Sequence, residues 1–145
     1  MKKIKILLLL TVITTLLFTG CGKNENELVM VTEAGFAPYE YYKDGKVVGV
    51  DIDIANEVAK ELGKKLVIKD IAFDSIINEL KSGKADFAAA GLSITEDRKK
   101  QVDFTVEYTT SNQVVVVKKD SQITDINSLN GKRIAVQLGT VADLY

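Results

Sequence analysis

Three short apolar runs, separated by helical patterns, constrain this chain more than any other feature. The runs are Leu28 to Thr32, Lys65 to Ile71 and Asp86 to Ala90. Between the first two, Ile54, Val58 and Leu62 recur at four-residue steps with Ala55 and Ala59 beside them. That period predicts a helix from about Asp53 to Leu62, ended by Gly63. Between the second and third, Asp74 is placed to cap a helix through Leu80 that stops at Gly83. Alternating strands and helices read as the α/β class with a largely parallel sheet, because parallel neighbours need a crossover and a helix supplies it. Tyr41 to Val50 reads instead as a hairpin turning at Asp44-Gly45.

The third run leads directly into Gly91-Leu92-Ser93-Ile94-Thr95-Glu96-Asp97-Arg98. Thr95 is a good N-cap, and Glu96 and Asp97 suit a first helical turn, where the macrodipole favours negative charge. Arg98 does not suit that end of the dipole. Its placement makes sense if an anion joins it, so that backbone N–H groups and a guanidinium converge at the carboxyl end of a strand. A carboxylate is the natural guest. The bland alternative is an ordinary surface pair between Arg98 and a nearby acid.

Composition removes several functions. The chain has 145 residues with a net charge of −1. Its 19 basic residues become 16 without Lys2, Lys3 and Lys5, against 20 acidic, giving −4. Such a balance offers no footprint for nucleic acid. The absence of histidine removes Ser-His-Asp and Cys-His catalysis and most zinc sites. Cys21 is the only cysteine, so there is no disulfide framework.

That cysteine ends a leader. Three lysines precede an apolar run from Ile6 to Phe18, too short to span a membrane comfortably as a mature helix. Residues 1–20 therefore read as a signal peptide. The run ends Leu17-Phe18-Thr19-Gly20-Cys21, which resembles a bacterial lipobox, whose cysteine receives lipid after cleavage. Residues 21–27 are the lipidated cysteine and a polar tether.

Beyond Thr110 the pattern changes. Val114 to Val117 is a continuous β-branched run, typical of a strand buried on both faces. A short helical turn near Asp125 to Leu129 and a second strand, Arg133 to Gln137, follow. Gly139-Thr140-Val141 opens a further helix. A domain boundary near Thr110 divides 28–110 from 111–145.

Taken together, these segments resemble a known family. They are Phe36-Ala37-Pro38-Tyr39, Gly49-Val50-Asp51-Ile52-Asp53-Ile54, Phe73-Asp74 and Leu80-Lys81-Ser82-Gly83-Lys84-Ala85-Asp86. Ser93-Ile94-Thr95 with Arg98, Val102-Asp103-Phe104-Thr105 and Gln137-Leu138-Gly139-Thr140 continue the series. Each is weak alone; their order and spacing are specific. From Leu28 to Tyr145 the chain resembles family 3 of the bacterial extracellular solute-binding proteins, the polar-amino-acid receptors of ATP-binding-cassette importers.

The resemblance implies a two-lobe type II periplasmic-binding-protein fold, with lobe 1 nearly complete over 28–110 and lobe 2 begun at 111 and truncated at the C-terminus. It implies a protein exported and lipid-anchored to the cell membrane, which delivers a free, polar amino acid to a permease. It implies neither enzyme activity, cofactor nor metal. By the same resemblance, Arg98 clamps the ligand carboxylate with help from the Ser93 hydroxyl and N–H. The Gly91 carbonyl accepts from the ligand ammonium, and backbone N–H groups at Thr140 and Val141 complete the carboxylate cradle. Phe36 and Phe73 flank the ligand side chain, and Glu33 meets its polar or basic end.

Physical chemistry supports such a clamp, since hydrogen bonds to charged groups contribute about 1.5–3 kcal/mol each. Plainer readings stand beside it. Phe36 and Phe73 also suit an ordinary core. Asp51 and Asp53 have the look of a metal pair, but capping and charging the next helix is the simpler role. Lys99-Lys100 and Lys118-Lys119 read as solvated faces, and Ser93 has no base to activate it. Two other classes share the fold: exported dehydratases, for which Glu33 is the one evident acid or base, and sensing domains of membrane receptors. The incomplete second lobe leads to a further expectation, that residues 22–145 alone bind amino acids weakly or not at all, and aggregate or associate through the second unit, where Val114 to Val117 would be uncovered.

Overall fold

The computed structural model describes residues 24–144, so the leader and Cys21 lie outside the described residues. Strand β1 (Glu27–Thr32) is followed by three short strands, β2 (Gly35–Phe36), β3 (Glu40–Lys43) and β4 (Lys46–Val48). Helix α1 (Val50–Glu61) and strand β5 (Lys65–Asp70) come next. A 3-10 turn at Phe73–Ser75 runs into α2 (Ile76–Lys81), then β6 (Phe87–Ala88) and α3 (Glu96–Lys99).

The parallel sheet has the order β5-β1-β6. β1 pairs with β5 from Glu27↔Lys65 to Thr32↔Asp70, and with β6 at Met30↔Phe87 and Val31↔Ala88. The crossover from β1 to β5 runs one way, and the next crosses back past β1 to β6. Right-handed connections therefore put α1 and α2 on opposite faces. The packing shows this. Met30 meets Ile52 and Ala55 of α1 on one face, while Val29 and Val31 meet Ile76 of α2 on the other. β1 is buried on both sides, which suits its unbroken Leu28-Val29-Met30-Val31 run. β1 and β6 flank the point where the strand order reverses, the position at which open α/β sheets form a crevice between the departing loops.

The antiparallel sheet β2-β3-β4 carries the expected hairpin. Lys43 pairs with Lys46 across Asp44 and Gly45, both left-handed at φ 52° and 75°, as a two-residue I′ turn requires. The hairpin delivers the chain to Gly49, whose φ of 132° and 2.2 Å approach of an added Cβ to the Tyr39 carbonyl oxygen leave room only for glycine.

Several expectations need correction. α1 starts at Val50 rather than Asp53, because the Pro38 and Tyr39 carbonyls accept from the Val50 and Asp51 N–H groups at 3.1 and 3.0 Å. No side chain caps the helix, so Asp51 is not a cap. Nor is the Ile54, Val58, Leu62 stripe its buried face. Those residues are 41%, 41% and 57% exposed, and Ile52, Ala55 and Ala59 face the sheet, small enough for close approach. Asp74 makes no capping bond either; it lies in the 3-10 turn before α2.

The largest difference lies in 111–144. The expected strands Gln113 to Lys118 and Arg133 to Gln137 do not form. Val114 and Val116 are 70% and 92% exposed. A strand exists through its neighbours, and no described residue pairs with this stretch. The turn near Leu129 does form, as a 3-10 turn at Asn127–Leu129. The helix expected from Val141 is a single 3-10 turn, Val141–Asp143.

Candidate functional site

Arg98 is the third residue of α3, and its N–H donates to the capping Thr95 hydroxyl at 3.2 Å, as the sequence indicated. The side chain then folds inward, leaving only 8% exposed. Nη1 donates to the Ser93 carbonyl at 2.6 Å and Nη2 to the Gly139 carbonyl at 3.0 Å. The guanidinium carbon sits 5.6 Å from the centroid of the Phe73 ring, within cation–π range. Neither hydrogen bond goes to a carboxylate, so the surface-pair alternative does not describe Arg98. Burial lowers its pKa from the ordinary value.

Around this cation the segments leaving β1 and β6 supply the walls. From β2 comes Phe36, half exposed and stacked on Tyr39 with centroids 5.2 Å apart. The edge of its ring lies 2.8 Å from where a Cβ on Gly91 would stand, so glycine there lets ring and loop meet. Phe73 belongs to both readings, packing against the Val29, Val31, Ile76 cluster while presenting its face to Arg98. The Glu33 carboxylate accepts from the Gln137 side-chain amide, 104 residues along the chain. Gly139 packs against Asp74, with an added Cβ 2.9 Å from its Cα. Residues 137–139 thus cover the crevice.

Behind Gly91 lies a second polar group. The Gly91 N–H donates to Oδ2 of Asp51 at 2.9 Å, and the Tyr108 hydroxyl donates to the same oxygen at 3.0 Å. Asp51 is fully buried, and Glu40 beside it is 1% exposed. Burial first, then the hydrogen bond to Asp51, its charge and that of Glu33, push the Glu40 pKa up to about 9. Burial, then the charge and hydrogen bond of Asp51, and Glu40 after them, raise Tyr108. Asp53 points to solvent, so the two aspartates do not converge as a metal pair.

The model of the bacterial extracellular solute-binding proteins, family 3, matches residues 28–140. The chain belongs to this family. It is 39% identical over 145 residues to the arginine-binding extracellular protein ArtP of Bacillus subtilis, covering 95% of this chain and 57% of that one. A mutant of ArgBP from T. maritima superposes with a TM-score of 0.78 at 41% identity, over 82% of this chain and 53% of its own. An ancestral cyclohexadienyl dehydratase superposes with a TM-score of 0.56 at 32% identity, over 58% of this chain and 36% of its own. The chain spans about half the length of the curated relatives it matches. The fold is the type II periplasmic-binding-protein fold, represented here by one lobe and adjoining chain.

Within this family member, Phe36 meets Gly91, Arg98 meets Ser93, Phe73 and Gly139, and Glu33 meets Gln137. The Ser93 carbonyl is the acceptor for Arg98. The Thr140 N–H and hydroxyl both donate to the Gln137 carbonyl, at 3.3 and 2.7 Å. Sequence reasoning missed Asp51 as a buried group, although a signal existed: Asp51 stands four and eight residues before Ala55 and Ala59, on the buried face of α1. Glu40, inside a short hairpin strand, carries no comparable signal.

Proposed function

We propose that this chain is part of an extracytoplasmic lipoprotein that captures a free, polar amino acid and delivers it to the permease of an ATP-binding-cassette importer. The observation that carries the reading is Arg98, a buried guanidinium whose hydrogen bonds go only to carbonyl oxygens. A carbonyl offsets a guanidinium charge weakly. A carboxylate presents two oxygens matched to its fork and a full negative charge. The amino-acid carboxylate takes the place of the Gly139 carbonyl on Arg98, and Ser93, Thr140 and Val141 turn their donors toward it. The Gly91 carbonyl accepts from the ammonium.

Phe36 and Phe73 flank the ligand side chain and Glu33 meets its tip. Arginine or lysine gains from both ring faces and carboxylate, by about 1–2 kcal/mol at a desolvated site. The similarity to an arginine-binding extracellular protein supports that class. The 28–110 lobe provides one wall and 111 onward begins the other. Cleavage after residue 20 and lipid on Cys21 hold the protein at the membrane, on its outer side.

Calorimetry with L-arginine on the full-length protein, repeated on Arg98→Ala, tests this reading. Binding that is lost in the variant supports it; equal binding by both removes Arg98 from the site. A thermal-shift panel of the standard amino acids tests the side-chain class, since a ligand stabilises by its affinity for the folded state. Stabilisation by small apolar amino acids alone overturns it.

The likeness to an ancestral dehydratase keeps a second reading in view. Dehydration needs an acid or base free to reach substrate, and Glu33 is engaged by Gln137 in this structure. Turnover of a cyclic carboxylate by the purified protein, lost in Glu33→Gln, is the result that favours catalysis over binding.

A further inference from the structure

Besides the Thr32 hydroxyl, two buried side-chain oxygens lack hydrogen-bond partners when both carboxyls are ionised: Oε2 of Glu40 and Oδ1 of Asp51. They belong to neighbouring carboxyl groups, one on β3 and one in the first turn of α1. Two buried carboxylates side by side repel, and each leaves a lone pair without a donor. One proton removes both problems. Placed on Glu40, it makes a donor of one orphan oxygen and an acceptor of the other, and leaves a single negative charge on Asp51.

That charge has a use. Oδ2 of Asp51 holds the N–H of Gly91 and the hydroxyl of Tyr108, so one carboxylate ties α1 to the loop after β6 and to the segment that leads out of the lobe. We propose that Glu40 and Asp51 share one proton and act as a positioning pair, holding the Gly91 N–H and so fixing the loop from which the Gly91 carbonyl, in the next peptide unit, faces the ligand ammonium while Arg98 takes the carboxylate. The role rests on the amino-acid-binding reading above; the proton sharing does not.

The groups facing the pair are few. Glu33 comes from the loop after β1, Tyr108 from the departing segment, and Gly91 offers only its backbone. The charges that act on Glu40, those of Asp51 and Glu33, are both negative and keep the proton in place. Losing that proton puts two charges together in a dry site. Asp51 then turns away, and the Gly91 N–H loses its acceptor.

The test uses the full-length protein with both lobes, first without ligand. In wild type, the Glu40 side-chain carboxyl carbon and the Gly91 amide proton, followed by nuclear magnetic resonance, titrate together near the raised value of about 9. In Glu40→Gln the Gly91 amide no longer titrates there, and in Asp51→Asn it moves upfield at every pH. L-arginine affinity, measured alongside, falls about tenfold more in wild type than in Glu40→Gln across the same transition, the factor for one lost hydrogen bond to a charged group; the comparison cancels titration of the ligand's own ammonium, which both proteins share. A Glu40 carbon that titrates in the ordinary carboxylate range, or a Gly91 amide indifferent to both variants, overturns the proton-sharing pair even if arginine binds. A linked titration in a protein that binds no amino acid leaves the pair standing and refutes the binding role.

Discussion

Nη2 of Arg98 and the carbonyl oxygen of Gly139 lie 3.0 Å apart, joining points 41 residues apart in the chain. Gly139 reaches this position with φ at 77° and its Cα packed on Asp74. Gly139→Ala adds a Cβ 2.9 Å from the Asp74 Cα in a conformation that L-residues disfavour. The combined cost is about 2 kcal/mol or more. The expected outcome is release of residues 137–139 from the crevice, seen as faster amide exchange there. Unchanged exchange at Gly139 and Thr140 contradicts the account.

Arg98→Ala is predicted to lower amino-acid affinity by about 2–4 kcal/mol, because a desolvated carboxylate is left without its partner. Arg98→Lys falls between, since a point charge cannot reproduce the planar fork or the stacking on Phe73. Calorimetry on the three proteins gives the order. Equal affinities for lysine and arginine variants show that charge alone matters.

Stability depends on pH through Glu40. Its folded pKa is raised from 4.5 to about 9, so between those values the folded protein holds a proton that the unfolded chain has released. The contribution is fully present below about 4.5 and is lost as pH rises through about 9. Each pH unit inside the window removes at most about 1.4 kcal/mol from this group. Glu40→Gln flattens the loss, and urea melts of both proteins across the window measure it. Parallel pH profiles for the two proteins rule out a native proton on Glu40.

Gly49→Ala is expected to be among the most damaging single changes in the lobe. The added Cβ meets the Tyr39 carbonyl oxygen at 2.2 Å, the same carbonyl that receives the Asp51 N–H. Relief requires moving the start of α1 or the end of the loop before β3, so the loss exceeds about 3 kcal/mol. A melting temperature within a degree or two of wild type contradicts the crowding at Gly49.

Cys21→Ser tests the proposed anchor. The variant is expected in the soluble exported fraction, or as an uncleaved precursor, while the natural protein stays with membranes. Identical fractionation and migration of the two proteins exclude lipid on Cys21.

Much of the lobe was legible because it rests on local chemistry. The β1 and β5 runs, the Asp44-Gly45 turn and the Thr95 cap each follow from a few neighbouring residues, and each formed where expected. Arg98 stood out for the same reason, a cation in a helix first turn. Sequence alone thus determined the class, the alternation of elements and the residue around which the crevice gathers. Tertiary structure decided what depends on contacts between distant segments. It buried Ala55 and Ala59 instead of Ile54 and Val58, since a helix turns toward whichever face lets it approach a sheet closely. It turned Asp51 from a presumed cap into a buried acceptor for Gly91 and Tyr108. It left Val114 to Val117 without a strand, because β-branched residues favour extended chain but only a paired neighbour makes it a sheet.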